Sequence, residues 1–148
     1  MNDLEYMHLA IVQAQAAALR GEVPVGALVV LEDRILAAAG NRTVTDCDPT
    51  AHAEIVALRE AARKAGNHRL MGASLYVTVE PCAMCAGALV QARIARLIYG
   101  ADEPKGGAIR TCMQVLDMPA LNHRVEIVSG VLAAESVQLL QSFFSARR

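Results

Sequence analysis

No apolar run in this sequence approaches the ~20 residues that a helix needs to cross a bilayer, although 54% of its 148 residues are apolar. The N-terminus carries Asp3, Glu5 and His8, whereas a signal peptide is basic and then apolar. Charge is nearly balanced, with a formal net value of -1, so it gives no indication of a nucleic acid partner. These absences lead us to expect a cytoplasmic protein that does not contact membranes.

Cysteine is also scarce, with four in the whole chain. Cys82 and Cys85 form a Cys-x-x-Cys pair, whereas Cys47 and Cys112 stand alone. This distribution fits a reducing compartment and metal ligands better than a disulfide framework. We expect Cys47 and Cys112 to be ordinary thiols that are buried or partly buried.

Helical and strand patterns alternate along the chain, and no repeat or linker interrupts them. Helical spacing predicts helices over residues 4–20, 50–66, 81–91, 113–116 and 133–145, with Asp3 and Thr50 as N-caps of the first two and Pro81 in the first turn of the third. Strand patterns predict strands over residues 23–30, 34–39, 74–79, 96–99 and 124–128, the first two forming a hairpin and the third showing alternation with branched and aromatic residues. We therefore predict a single α/β domain over residues 1–148, with a mixed five-stranded sheet, helices on both faces, and parallel, right-handed crossings around the third and fourth strands.

Two short segments carry the residues that indicate chemistry. His52 and Glu54 lie at the predicted start of one helix, and Cys82 and Cys85 lie in the first turn of the next. The two cysteines share one helix face, and a helix N-terminus favours thiolates. One imidazole and two thiolates make a three-ligand zinc site, which leaves a coordination position for an activated water. Glu54 points to a different side of its helix from His52, which suits proton transfer.

Other interpretations of these residues remain. A Cys-x-x-Cys pair is often half of a structural zinc site, but no second pair completes one, and His68 and His123 are irregularly spaced. A redox Cys-x-x-Cys would give no role to His52 and Glu54. A non-catalytic, zinc-stabilised RNA-binding module is a rival of another class, and it requires a fourth protein ligand with no open position.

The segments His52-Ala53-Glu54 and Pro81-Cys82-Ala83-Met84-Cys85 match the signature of the zinc nucleobase deaminases. Within that superfamily, nearly the whole chain resembles the bacterial tRNA-specific adenosine deaminases, through residues 22–27, 41–42, 48–55, 75–82, 84–88, 122–126 and 143–144. The resemblance implies the three-layer α/β/α fold of the cytidine deaminases. It also implies hydrolytic conversion of the wobble adenosine to inosine in the anticodon loop of an arginine tRNA.

The same resemblance implies one Zn(2+) per subunit, a homodimer with composite RNA-binding grooves, and the anticodon stem-loop of tRNA-Arg as partner. Matching positions make Glu54 the catalytic acid and base, and His52, Cys82 and Cys85 the metal ligands. They place Asn41 on the edge of the base, Val25 against the purine, and the N–H groups of Ala53 and Cys82 toward the substrate. Neighbouring nucleotides would contact Glu103, Lys105, Phe144 and Arg148.

Two positions depart from the family pattern, and both lie away from the predicted ligands. Glu103 stands where Asp is common, and Thr43 stands where Pro is frequent. These departures bear on the contacts with neighbouring nucleotides rather than on the chemistry.

The nearest alternative keeps the metal site but acts on free cytidine, deoxycytidylate or guanine. Asn41 and the aromatic and basic tail over residues 143–148 favour tRNA, because such groups suit splayed single strands. For one of Phe143 and Phe144, packing in the core is an equally open interpretation, because adjacent residues of a helix do not both face inward equally. His123 either contacts RNA or is a loop residue whose hydrogen bonds are satisfied within the protein.

Overall fold

The computed structural model describes residues 1–147 and has ten elements of regular structure within them. The helices are α1 Asp3–Leu19, α2 Ala53–Ala65, α3 Ala83–Gln91 and α4 Ala133–Ser145, with one 3-10 turn at Val115–Asp117. The strands are β1 Gly26–Leu31, β2 Arg34–Gly40, β3 Ser74–Val79, β4 Arg96–Ala101 and β5 Glu126–Val128. Within residues 1–147 no helix combines the length and the apolar composition of a membrane span.

The strands form one mixed sheet in the order β2-β1-β3-β4-β5. β1 pairs antiparallel with both β2 and β3, whereas β3 pairs parallel with β4, and β4 pairs parallel with β5. The predicted five-stranded sheet, the hairpin and the parallel pairing of the third and fourth strands are therefore confirmed.

The two faces of the sheet bury different side chains, since successive strand residues point to opposite faces. On one face Leu28, Tyr76 and Ile98 pack with residues of α1. On the other face Leu75 and Leu97 pack with residues of α2 and α3. α4 contacts α1 and covers the same face of the sheet as α1. The result is the predicted three-layer α/β/α architecture.

α1 approaches the start of β1 so closely that the strand requires glycine there. A Cβ at Gly26 would overlap the carbonyl oxygen of Ala10, and Ala10 and Ala14 are themselves fully buried. Packing of this kind has no room for a methylene group. It holds the start of β1, and with it the preceding Val25, in one position relative to the sheet.

The first helix is capped by Asn2 and not by the predicted Asp3. The Oδ1 of Asn2 accepts a hydrogen bond from the N–H of Glu5 at 2.9 Å. Asp3 lies in the first turn instead, where it joins α1 to the sheet. Arg96 donates to both of its carboxylate oxygens, at 3.2 and 2.9 Å, and the hydroxyl of Tyr76 donates at 2.6 Å. The guanidinium of Arg96 lowers the pKa of Asp3 below its usual value.

Asp3→Asn is expected to lower the free energy of unfolding by about 1 kcal/mol at neutral pH, because it breaks a bidentate but partly exposed ion pair. Since the folded-state pKa of Asp3 is below 3.8, this contribution is complete above 3.8 and is lost as the pH falls through the folded value. Urea unfolding at pH 7 and pH 3 measures it. Glu126→Gln is the control, because Glu126 also contacts Arg96 but its side chain is 65% exposed; an equal loss there would contradict the prediction.

α2 begins later than predicted. The N–H and hydroxyl of Thr50 both donate to Oδ1 of Asp48, at 2.8 and 2.7 Å, which makes a local turn and leaves Thr50 outside the helix. The N-cap is His52, in an extended conformation, and the first helical residue is Ala53. α3 is shifted in the same way, because Cys82 is its N-cap and Pro81 precedes it.

Other boundaries also differ from those predicted, and β4 extends to Ala101 rather than residue 99. β1 begins at Gly26 rather than residue 23, because the N–H of Val25 turns back to the carbonyl of Val23 at 2.8 Å. β5 is restricted to Glu126–Val128, and the short helix is the 3-10 turn Val115–Asp117.

The expectation of buried thiols at Cys47 and Cys112 is wrong, since both are exposed. They lie in polar connections, where no apolar layer covers them.

Candidate active site

A cavity of about 320 Å³ opens at one edge of the sheet. Val79 ends β3, Asn41 follows β2, Glu103 follows β4, and Val25 precedes β1, which runs in the opposite direction. All four therefore lie at the same edge, and the N-termini of α2 and α3 add His52 and Cys82 to it. Ligand sites of open α/β sheets form at this edge, beyond the carboxyl ends of the parallel strands.

Most of the predicted site residues line this cavity: Val25, Asn41, His52, Ala53, Glu54, Cys82 and Glu103. Cys85 lies behind it and is fully buried. Lys105 and Phe144 are exposed and do not line it. Arg148 lies outside the described residues. The remaining lining residues are Val23, Thr43, Val79 and Glu80. None of these four was predicted as a site residue.

His52, Cys82 and Cys85 form a cluster that can hold a metal ion. Nδ1 of His52 is 3.5 Å from each sulfur, and the three donor atoms lie within 4.8 Å of one another. His52 and Cys82 are both N-caps whose side chains make no capping hydrogen bond. Their side chains are therefore free to face each other, and Cys85, one turn into α3, completes the group.

The cluster fits zinc in its distances and in its charge. Zn–N near 2.1 Å and Zn–S near 2.3 Å at a tetrahedral angle give an N···S separation of about 3.6 Å. Hydrogen bonds from Cys85 and His52 lower the pKa of Cys82 to about 3. The bond to Cys82 and burial raise the pKa of Cys85. A divalent cation bound between them would favour the thiolate form of both. Within residues 1–147 the cluster has three donors, not four.

Glu54 lies in the first turn of α2, two residues after His52, and is 4% exposed. Burial raises the pKa of its carboxyl group to about 7. A group that titrates near neutral pH can both accept and release a proton under ordinary conditions. A carboxyl beside the donor cluster, in the same cavity, is therefore suited to proton transfer.

Asn41 presents a buried polar group to the cavity. Its backbone is fixed, because its N–H donates to the carbonyl of Val25 at 3.1 Å and its carbonyl accepts from Arg20 at 3.4 Å. Its side-chain Oδ1 has no hydrogen-bond partner among the described residues. Leaving such an oxygen buried and unpaired costs about 1–3 kcal/mol, and a ligand N–H in the cavity would remove that cost.

Two buried carboxylates hold the loops that wall the cavity, and sequence reasoning missed both. Glu22 is fully buried. Burial raises the pKa of its carboxyl group, but hydrogen bonds from Thr45 and Val44 have the larger effect, so the pKa is lowered overall. Those bonds measure 2.6 Å from the Thr45 N–H and 3.2 Å from the Val44 N–H. Glu80 holds the loop after β4, and there too hydrogen bonds outweigh burial and bring its pKa to about 2. For Glu80 the sequence did offer a signal, because an acidic residue stands beside Pro81 at the end of an apolar strand.

The residues predicted to meet neighbouring nucleotides lie farther out. The N–H of Lys105 donates to Glu103 Oε1 at 2.8 Å. Phe143 is 8% exposed and Phe144 is 47% exposed, so core packing describes Phe143 and leaves Phe144 at the surface. His123 is partly buried, and its Nε2 lies 2.6 Å from the carbonyl oxygen of Ile94. It is thus a loop residue with an internal hydrogen bond.

Known proteins resemble this chain over almost its full length. Residues 1–148 match the MafB19-like deaminase family. The tRNA-specific adenosine deaminase of Agrobacterium fabrum is 48% identical over 97% of this chain and 94% of its own length. That of Bacillus subtilis is 46% identical over 97% and 89%. A structure from studies of A-to-I editing by tRNA:A34 deaminases at the wobble position of transfer RNA superposes with a TM-score of 0.89. It has 48% identity and covers 92% of this chain and 99% of that one.

Proposed function

Because the chain belongs to the MafB19-like deaminases and to the tRNA-specific adenosine deaminases, we propose that it converts the wobble adenosine of a tRNA to inosine. The finer proposal is that the tRNA is an arginine tRNA. One observation supports the chemistry above all others. A cluster of three metal donors lies at the cavity, with the buried carboxyl of Glu54 beside it.

His52, Cys82 and Cys85 would hold one Zn(2+) per subunit. When bound, zinc supplies a Lewis acid that lowers the pKa of water toward neutrality. The carboxylate of Glu54 accepts a proton from the attacking water and delivers it to N1 of the adenine, while the water oxygen adds to C6. Glu54 then takes the proton of the hydroxyl now on C6 and gives it to the departing amino group, so that the C6–N bond breaks, the C6 carbonyl forms and ammonia leaves. Adenosine and water thus become inosine and ammonia.

The base is held by residues of the same sheet edge. The amide side chain of Asn41 hydrogen-bonds the edge of the purine, which gives its buried oxygen a partner. Val25 packs against the ring. The N–H groups of Ala53 and Cys82 stand at helix starts, where they have no intrahelical acceptor, and they face the substrate.

The RNA outside the flipped base meets a more exposed surface. Glu103, Lys105, Phe144 and Arg148 contact the neighbouring nucleotides, because aromatic and charged side chains suit single-stranded loops. We further propose a homodimer. It is supported by an apolar groove of about 400 Å³ beside α2 and α3, lined among others by Ile55, Leu58, Leu70 and Ala88. The cytoplasm, where tRNA is used, is the proposed location.

The test is to incubate the zinc-loaded protein with an arginine tRNA that has adenosine at the wobble position, and to measure inosine by mass spectrometry. We expect inosine at that position, none in a matched tRNA with guanosine there, and no ammonia from free cytidine, deoxycytidylate or guanine. Ammonia from a free compound without inosine in tRNA would favour the small-substrate deaminase. RNA binding without any product would favour the binding module. Light scattering of the same sample tests the dimer, and a monomer mass would refute it.

A further inference from the structure

The loop over residues 102–112 is built around one carboxylate, that of Glu80. Oε2 of Glu80 accepts hydrogen bonds from the N–H groups of Ile109, Arg110 and Thr111, at 3.1, 2.8 and 3.0 Å. Oε1 accepts the N–H of Glu103 at 3.0 Å and the hydroxyl of Thr111. Glu80 itself is 3% exposed. Five donors thus occupy its two oxygens, and this coordination leaves the carboxylate no free position for a metal or a substrate.

The backbone of Glu80 and Pro81 bonds to the end of β4 and to the same loop. The N–H of Glu80 donates to the carbonyl of Ala101 at 2.8 Å, and the carbonyl of Pro81 accepts the N–H of Ala108 at 2.9 Å. Gly107 also packs directly on the carboxylate, since a Cβ there would overlap Oε1 of Glu80. The loop and the turn that leads into Cys82 therefore form one hydrogen-bonded unit.

This unit sets the position of the cavity wall. Glu103 is one of the residues that line the cavity, and its N–H is one of the groups held by Glu80. Glu103 in turn holds the N–H of Lys105 at 2.8 Å. Hydrogen bonds from N–H groups to a carboxylate are about twice as strong as those between neutral groups. A loop without regular secondary structure between β4 and the 3-10 turn is thereby kept in one conformation.

We propose that Glu80 is a positioning residue for the RNA substrate, which acts by fixing loop 102–112, and with it Glu103 and Lys105, against the turn that leads into Cys82. Glu80 does not touch the reacting atoms. The inference rests on the proposed function, because it assigns the loop to recognition of the tRNA. It predicts that loss of the carboxylate weakens productive binding of RNA more than it slows the chemical step.

Glu80→Gln tests this with little change in shape. The glutamine carbonyl oxygen can face the three N–H groups of residues 109–111, and its NH2 group can donate to the hydroxyl of Thr111. The N–H of Glu103 then faces an NH2 donor and loses its acceptor. We expect KM for the anticodon stem-loop to rise about tenfold, the change that loss of one charge-assisted hydrogen bond produces, with kcat within about twofold. Zinc content stays at the wild-type value, and amide hydrogen exchange at Glu103 accelerates at least about tenfold.

Glu32→Gln is the matched control, since Glu32 is an exposed residue of the β1–β2 turn, and it should change neither KM nor exchange. If Glu80→Gln fails to fold, Gly107→Ala applies the same test, because its methyl group displaces the loop from an intact carboxylate; we expect the same rise in KM. An unchanged KM in a folded variant, loss of zinc, or a fall in kcat alone would overturn the inference. Wild-type protein that makes no inosine would refute the proposed function, and the positioning role with it.

Discussion

Glu54→Gln is expected to reduce the rate of inosine formation by about 10²–10⁴-fold, the contribution typical of a general acid and base. Glutamine has nearly the shape of glutamate, so it can occupy the same buried position, where Glu54 is 4% exposed. Its amide can form hydrogen bonds but does not accept and release a proton near neutral pH. Single-turnover assays with excess enzyme measure the chemical step without contributions from product release.

The metal content separates this loss of chemistry from damage to the site. Since Glu54 is not one of the three clustered donors, the variant should still bind one zinc per chain by elemental analysis, and it should still bind tRNA. Glu60→Gln is the control on the same helix, as Glu60 pairs with Lys64 on the solvent side. A Glu54→Gln enzyme with the wild-type rate would refute the assignment of the proton carrier. Loss of zinc in that variant would instead make Glu54 part of the metal site.

The fold was largely predictable because apolar periodicity reports which face of each element is buried. Alternation over residues 74–79 predicted β3, whose two faces pack on α1 and on α2 and α3. Helix starts were predicted less well, because they depend on local hydrogen bonds that compete with the helix. Thr50 is a good cap by type, but it bonds to Asp48 and leaves the N-cap position to His52.

The candidate site was predictable where its residues are recognisable by type and spacing. His52 and Cys82 are 30 positions apart in sequence, yet both are N-caps at the same edge of the sheet. Glu22 and Glu80 were missed because their partners are backbone N–H groups more than 20 residues away. No side-chain pattern encodes such partners, as any residue type provides a backbone donor. The position of loop 102–112 therefore depended on the three-dimensional structure.

Removal of zinc is expected to abolish activity and to lower the stability of the fold. The three donors belong to the starts of α2 and α3, so a metal bound to all three joins two helices that are otherwise joined through the core. A ligand that binds only the folded state, present at a free concentration a thousandfold above its Kd, adds about 4 kcal/mol to the free energy of unfolding. For a chain of this size that corresponds to a fall in Tm on the order of 10 °C on chelation.

Cys85→Ser should reproduce both effects, because Cys85 is fully buried and its sulfur lies 3.5 Å from His52 Nδ1. Serine has the shape of cysteine but is a poor zinc ligand, so the variant should purify with much less than one zinc per chain. Cys112→Ser is the matched control, since Cys112 is exposed and outside the cluster, and it should keep the metal, the Tm and the activity. Calorimetry with and without a chelator measures the stability. If chelation removed activity but left Tm unchanged, the cluster would be formed by the sheet and core alone, with the metal needed for chemistry and not for folding.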